Sequence, residues 1–220
     1  MGPQTYKFNP SNGKTIWQYS GPVEGGGGAT AVDYGGNLYV SDIFSYASTF
    51  NQLQALNNSN GAGVYSTISG SLFQHISPPA FFNNTGYVTY GTELEAFNAT
   101  NGTLLWTKVF ADGSTSLTAP LAVNGYLYLE TSAGNLEVLD GTSGSLLDTL
   151  NLGSGGNAFS GFGFDEGLAA ANGLLAVPEG QDLVVLAIPE PSCSAVPILV
   201  GLLLCRRKRS RAVKTVTVVK

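Results

Sequence analysis

Apolar and aromatic residues in this 220-residue chain come in strand-length runs, split by clusters of Gly, Asn, Ser and Thr. Such short alternating runs between turn residues predict β-strands. The stretch that shows it best is Leu94-Glu95-Ala96-Phe97-Asn98-Ala99-Thr100-Asn101-Gly102-Thr103-Leu104-Leu105-Trp106. An alternating strand (Leu94, Ala96) enters an Asn-rich turn, and a second strand closes on a large aromatic. Asn101-Gly102 predicts a tight hairpin, because both residues tolerate positive φ. No amphipathic helical period of useful length occurs before residue 190.

The pattern recurs. Aligning on the turn glycine superposes Gly13, Gly61, Gly102 and Gly144, at spacings of 48, 41 and 42 residues. Periods of this size mark solenoids, propellers or arrays. Four residues before each glycine stands Asn9, Asn57, Asn98 or Asp140, whose side chains suit turns because they bond backbone N–H groups two residues on. Four residues after it stands Trp17, Tyr65, Trp106 or Asp148, so the last copy breaks the aromatic pattern. A second hairpin follows each first one, around Gly35-Gly36, Asn83 to Gly86, Asn124-Gly125 and Asn172-Gly173. Two hairpins per repeat make four strands. Strands this short bury both faces only by stacking sheet on sheet, and radial stacking gives a propeller.

Composition agrees with an all-β chain. Hydrophobic residues are 43%, glycine numbers 29, and charged residues are only 11%, against about 25% in ordinary domains. The net charge of −5 hides an asymmetry: residues 1–188 carry three basic and fourteen acidic side chains, whereas 189–220 carry seven basic and one acidic. An acidic body lacks the basic footprint of a nucleic-acid binder, so no nucleic-acid partner is expected. Both cysteines, Cys193 and Cys205, lie in the tail, which leaves the body without a disulfide framework or thiolate metal site.

The run Ala96-Phe97-Asn98-Ala99-Thr100-Asn101-Gly102-Thr103-Leu104-Leu105-Trp106, followed by an Ala-Val-Asn-Gly-Tyr-Leu-Tyr hairpin at 122–128, resembles the PQQ-type, quinoprotein-like propeller repeat. The resemblance spans residues 5–188 and departs from the family pattern in Asn98 for Asp and Asn101 for Thr. It implies an all-β fold, a β-propeller of four-stranded blades. About four blades are present, against seven or eight in family members, so a fragment of a larger propeller is the expectation. Pairing of two chains, or closure of four blades alone, are the alternatives. In the family the aromatic packs between blades, a role implied here for Trp17, Tyr65 and Trp106 and denied to Asp148. The blade motif is thus Gly13, Trp17, Gly61, Tyr65, Asn98, Gly102, Trp106, Asp140 and Gly144.

The tail has three parts. Pro189-Glu190-Pro191 precedes an almost uncharged run, Ser192–Cys205, and then Arg206-Arg207-Lys208-Arg209-Ser210-Arg211. As a helix the fourteen-residue run spans only about 21 Å, short of a ~30 Å hydrocarbon core, though long arginines can snorkel. The order of motif, apolar run and arginines resembles the PEP-CTERM sorting signal, with a plain C-terminal anchor as the alternative. It implies an exported protein, held in the inner membrane until an exosortase-type enzyme processes it, and destined for the cell surface or outer envelope. The organisation expected is a repeat body at 1–188, a sorting segment with a short apolar helix at 189–211, and an extension at 212–220. The extension is β-like and departs from the family pattern. No signal peptide precedes the first strand in this sequence, which fits the fragment reading.

Candidate chemistry is sparse. His75 is the only histidine and sits in a strand-like stretch, where a structural role is expected. Asp165-Glu166 lie in a Gly-rich loop whose spacing matches no calcium loop such as the EF-hand. Family dehydrogenases bind PQQ with calcium and often use adjacent cysteines, which the body lacks. No catalytic, cofactor-binding or metal-binding residue is therefore assigned, and neither PQQ nor calcium is expected. The expectation is a non-catalytic envelope platform for a protein or polysaccharide. A remnant of a PQQ-dependent dehydrogenase and an outer-membrane assembly scaffold are the alternatives.

Overall fold

The computed structural model describes residues 4–20, 31–41, 51–69, 77–116, 118–152, 167–179 and 182–188. All their regular elements are strands except one 3₁₀ turn, Ala111–Gly113. The chain divides into two compact units, residues 1–110 and 111–220.

The first unit opens with a two-stranded sheet, β1 (Gln4–Phe8) and β2 (Thr15–Ser20). A four-stranded antiparallel meander follows: β3 (Val32–Tyr34), β4 (Asn37–Ser41), β5 (Asn51–Asn57) and β6 (Gly63–Ser69). A second meander is β7 (Ala80–Phe82), β8 (Thr85–Tyr90), β9 (Glu93–Asn98) and β10 (Leu104–Val109). The other unit holds a third meander, β11 (Leu121–Val123), β12 (Tyr126–Glu130), β13 (Asn135–Asp140) and β14 (Leu146–Asn151). It ends in a three-stranded sheet, β15 (Ala169–Ala171), β16 (Leu174–Glu179) and β17 (Asp182–Ala187). Each meander is a four-stranded blade. Among the described residues the repeat thus gives three complete blades and two partial ones.

Burial follows strand position. The second and third strands of a blade are covered on both faces: Gly86–Tyr90 of β8 and Leu94–Phe97 of β9 are continuously buried. The fourth strand, β10, alternates between exposed and half-buried, as an outer edge should. In the first unit Tyr39, Leu53 and Ala55 of one blade pack with Val88, Tyr90 and Phe97 of the next. Tyr34 and Tyr39 add close ring contacts to Phe81, with centroids 4.3 and 4.5 Å apart. In the other unit Tyr128 and Leu136 of the third blade pack with Leu175 and Val177 of the final sheet.

The Gly/Asn turns of the second hairpins form as expected from the sequence, whereas the Asn101-Gly102 turn differs in one residue. Asn101 does not adopt positive φ; only Gly102 does, at 75°. The loop spans Ala99–Gly102, closed by Asn98 N–H donating to Thr103 O at 2.8 Å. The tight turns with two consecutive positive-φ residues join the first and second strands instead. They fall at Gly35-Gly36, Asn83-Asn84, Asn124-Gly125 and Asn172-Gly173. Asparagine tolerates this conformation through its short polar side chain. Gly86 is accordingly a strand residue and not a turn residue.

The Pro189–Pro191 motif, the expected apolar helix at 192–205, the basic run at 206–211, the extension at 212–220, His75 and Asp165-Glu166 all lie outside the described residues. Among the described residues no helix is long and apolar enough to cross a membrane.

Candidate functional site

The repeated turn has the same frame in each copy. Its first residue (Asn9, Asn57, Asn98 or Asp140) accepts the glycine N–H on its backbone oxygen at 2.8 Å. The Oδ1 of that residue caps the N–H two residues on: Ser11, Ser59, Thr100 and Thr142, at 2.8–3.0 Å. In three copies a second asparagine (Asn12, Asn60 or Asn101) caps Lys14, Ala62 or Thr103 at 3.0 Å. These asparagines stand before the glycine because their side chains satisfy backbone donors in right-handed geometry. The glycine alone reverses the chain. Gly13, Gly61, Gly102 and Gly144 take φ of 68°, 74°, 75° and 71°.

The aromatics four residues beyond two of these glycines seat on the next blade. Trp17 lies against Gly61, and its Nε1 donates to Asn58 O at 3.0 Å. Tyr65 lies against Gly102, and its hydroxyl donates to Ala99 O at 2.8 Å. Asn58 and Ala99 occupy the same position, three residues before the turn glycine. The seam is therefore one device used twice: a ring over a glycine and a donor to the same backbone oxygen. Each seam has its own reinforcement. Lys7 Nζ donates to both oxygens of Asn58 at 2.8 Å, and Tyr39 adds a second donor to Ala99 O at 2.8 Å. Burial, with the neighbouring Tyr39, pushes the Tyr65 phenol far up, so it stays a neutral donor.

Trp106 packs at a tilt against Tyr87 of its own blade, with ring centroids 6.0 Å apart and its Nε1 buried and without a hydrogen-bond partner. Asp148, at the same position in the third blade, is half-buried, and its Oδ1 caps Thr149 N–H at 2.9 Å.

A carboxylate cluster is not apparent from the sequence pattern. Tyr90 Oη lies 2.7 Å from Glu93 Oε2 and 2.5 Å from Glu95 Oε1. Tyr90 and Glu93 face each other across the β8–β9 turn, and Glu95 pairs with Val88 on the same face. One phenolic proton satisfies one of these contacts; the other needs a carboxylic proton. Burial raises the Glu95 pKa and nearby Glu93 raises it further, against the lowering by the Tyr90 hydrogen bond. Burial is the larger of these effects, so the Glu95 carboxyl lies above the ordinary carboxylate range. The signal in the sequence is its phase: Glu95 is an acidic residue at an inward strand position. Glu137 and Glu130 of the third blade are likewise buried acids, Glu130 completely.

The cluster joins one phenol to two carboxyl groups. It contains no nucleophile paired with a base. Among the described residues no group of three or more His, Cys, Asp or Glu is placed to hold a metal ion.

Residues 5–166 match the family described as outer membrane protein assembly factor BamB. The chain belongs to this family. Among solved structures, BamB from Moraxella catarrhalis superposes with a TM-score of 0.61 at 16% identity, over 84% of this chain and 52% of that one. Quinohemoprotein alcohol dehydrogenase from Comamonas testosteroni gives a TM-score of 0.63 at 14% identity, over 84% of this chain and 38% of that one. The computationally designed Ika4 protein gives 0.58 at 10% identity, over 80% of this chain and 99% of that one. The shared fold is the PQQ-type β-propeller. This chain spans about half the length of the BamB structure and less of the dehydrogenase. No curated protein matches it in sequence.

Proposed function

We propose that the chain is a non-catalytic, exported envelope protein whose blades present a platform to a protein partner. The carrying observation is the family match over residues 5–166, since the family is named for an assembly factor of the outer membrane. The site chemistry supports it. The repeated polar residues serve turn caps and blade seams, a scaffold's use of such groups. The tail supports export: the Pro189-Glu190-Pro191 motif, the apolar run and Arg206, Arg207, Lys208 and Arg209 follow the order of a PEP-CTERM signal. An exosortase-type enzyme would process it near Glu190. A polysaccharide is the second ligand class for such a surface.

Fractionation of cells making the full-length chain tests this, with mass spectrometry of the C-terminus. Membrane or envelope recovery with a processed tail is expected, and Glu190→Ala should leave the tail intact. Recovery of the intact chain in the cytosol alone would sink the proposal.

The dehydrogenase-remnant reading rests on the fold shared with quinohemoprotein alcohol dehydrogenase. Titration of the chain with PQQ and calcium separates the two. Saturable binding at a single site would favour the remnant.

A further inference from the structure

Asn-Gly occurs five times in the chain, at Asn12, Asn60, Asn101, Asn124 and Asn172. In such a pair the glycine nitrogen can close on the asparagine side chain, because glycine has no Cβ to hinder the approach. Asn12, Asn60, Asn101 and Asn172 are all exposed, so exposure does not separate them. Hydrogen bonds do.

Asn12, Asn60 and Asn101 precede glycines of the repeated turn. There the glycine N–H is already donated, to Asn9, Asn57 or Asn98 O at 2.8 Å. The asparagine Oδ1 is held as well, by Lys14, Ala62 or Thr103 N–H at 3.0 Å. Both the attacking nitrogen and the carbonyl under attack must be released before they can react. Asn124 is half-buried and engaged.

Asn172 sits in the two-residue turn between β15 and β16, with φ of 52°. Among the described residues no hydrogen bond holds its side chain or the N–H of Gly173. The same turn of the second blade shows the reason. Asn84 stands where Gly173 does, and its N–H donates to the Tyr34 hydroxyl of the preceding blade at 2.9 Å. The third blade carries Val123 at the position of Tyr34, and a valine side chain has no acceptor.

We infer that Asn172 is a site of spontaneous deamidation in the folded protein, converted to aspartate and isoaspartate while Asn12, Asn60 and Asn101 are spared. The Gly173 nitrogen gives up its proton and attacks Asn172 Cγ. The N–Cγ bond forms, the Cγ–Nδ2 bond breaks, and the side-chain amide leaves with the proton as ammonia. Water then opens the cyclic imide. Cleavage at Cγ gives aspartate, and cleavage at the backbone carbonyl gives isoaspartate, which adds a carbon to the main chain of the turn. Gly173 O also holds Ile188 N–H at 2.9 Å, so isoaspartate here loosens the end of β17.

The test incubates the full-length chain at mildly alkaline pH, native in a mild non-ionic detergent and unfolded in urea. Mass spectrometry follows the five peptides, with chromatography to resolve isoaspartate. In the native chain the Asn172 peptide should exchange an amide for an acid about tenfold or more faster than those of Asn12, Asn60 and Asn101, whose two hydrogen bonds must open first. In urea that difference should collapse, because every pair is then equally free. A native chain in which Asn172 is no faster than those three, or a preference that persists unchanged in urea, would overturn the inference.

Discussion

The indole of Trp17 lies over the backbone of Gly61, so close that a Cβ added there would stand 2.6 Å from Cε3. The glycine is needed twice over: its φ of 74° is left-handed, and its missing side chain is the seat for the ring. Gly13 separates the two requirements. It has φ of 68°, yet an added methyl would meet nothing within 4 Å, because no ring lies over it. Gly13→Ala should cost about 1–2 kcal/mol, the strain of an L-residue in that conformation. Gly61→Ala should cost about 2–5 kcal/mol, since overpacking adds another 1–3. Urea melts of the two variants check this. Equal losses would show that the ring gives way freely.

Ala99 O accepts from two phenols, Tyr39 and Tyr65, each at 2.8 Å. Removing one hydroxyl leaves the carbonyl with a donor. Tyr65→Phe or Tyr39→Phe should therefore cost only about 0.5–1.5 kcal/mol. Removing both strands a carbonyl under the seam, so the double variant should lose more than the sum of the singles. Additivity within about 0.5 kcal/mol in a double-mutant cycle would show that the two bonds act independently.

What is legible in the sequence is what a residue encodes by itself. Gly61 and Gly102 announce left-handed turns because little else adopts them, and Asn57 and Asn98 announce caps because their side chains reach their own turn. The aromatic rule locates Trp17 and Tyr65, since a fixed offset from the glycine fixes the strand face. The Asn101 conformation departs from the expectation because Asn-Gly is shared by two turn types, and hydrogen bonding to Thr103 N–H selects the right-handed one here. The Tyr90–Glu93–Glu95 cluster is not legible as a site. Its members are close in sequence, but what perturbs Glu95 is burial between blades, a property of the packed repeat.

That perturbation sets a pH dependence. Glu95 has its folded-state pKa raised above the ordinary carboxylate value, by burial first and by Glu93 after it. The folded state then holds a proton that the unfolded state has released. The stability this contributes is full below the unfolded-state pKa and is lost as pH rises through the folded-state value. Denaturant melts from about pH 4.5 upward should show stability falling with pH over that window, after allowance for other carboxylates. Glu95→Gln mimics the protonated form and should flatten this component, leaving the variant more stable than the parent at neutral pH. A parent and variant with parallel pH profiles would show that Glu95 is ionised in the fold.

Gly86 and Phe97 offer a cleaner test of blade packing, because no backbone strain enters. Gly86 pairs directly with Phe97 across β8 and β9. A Cβ on Gly86 would lie 2.2 Å from Phe97 Cζ, so the ring occupies the volume that any other residue would claim. Phe97 is itself buried among Tyr39, Ala55 and Val88, which prevents it from swinging away. Gly86→Ala should thus destabilise by about 1–3 kcal/mol through overpacking alone. Phe97→Leu should also destabilise, through the smaller ring-to-branch loss in a filled core. Combined, the two changes relieve each other: the shorter leucine vacates the space and the new methyl fills part of it. The double variant should be more stable than the sum of the singles predicts, by about 0.5 kcal/mol or more. A purely additive pair would mean that the ring is not what excludes a side chain at position 86.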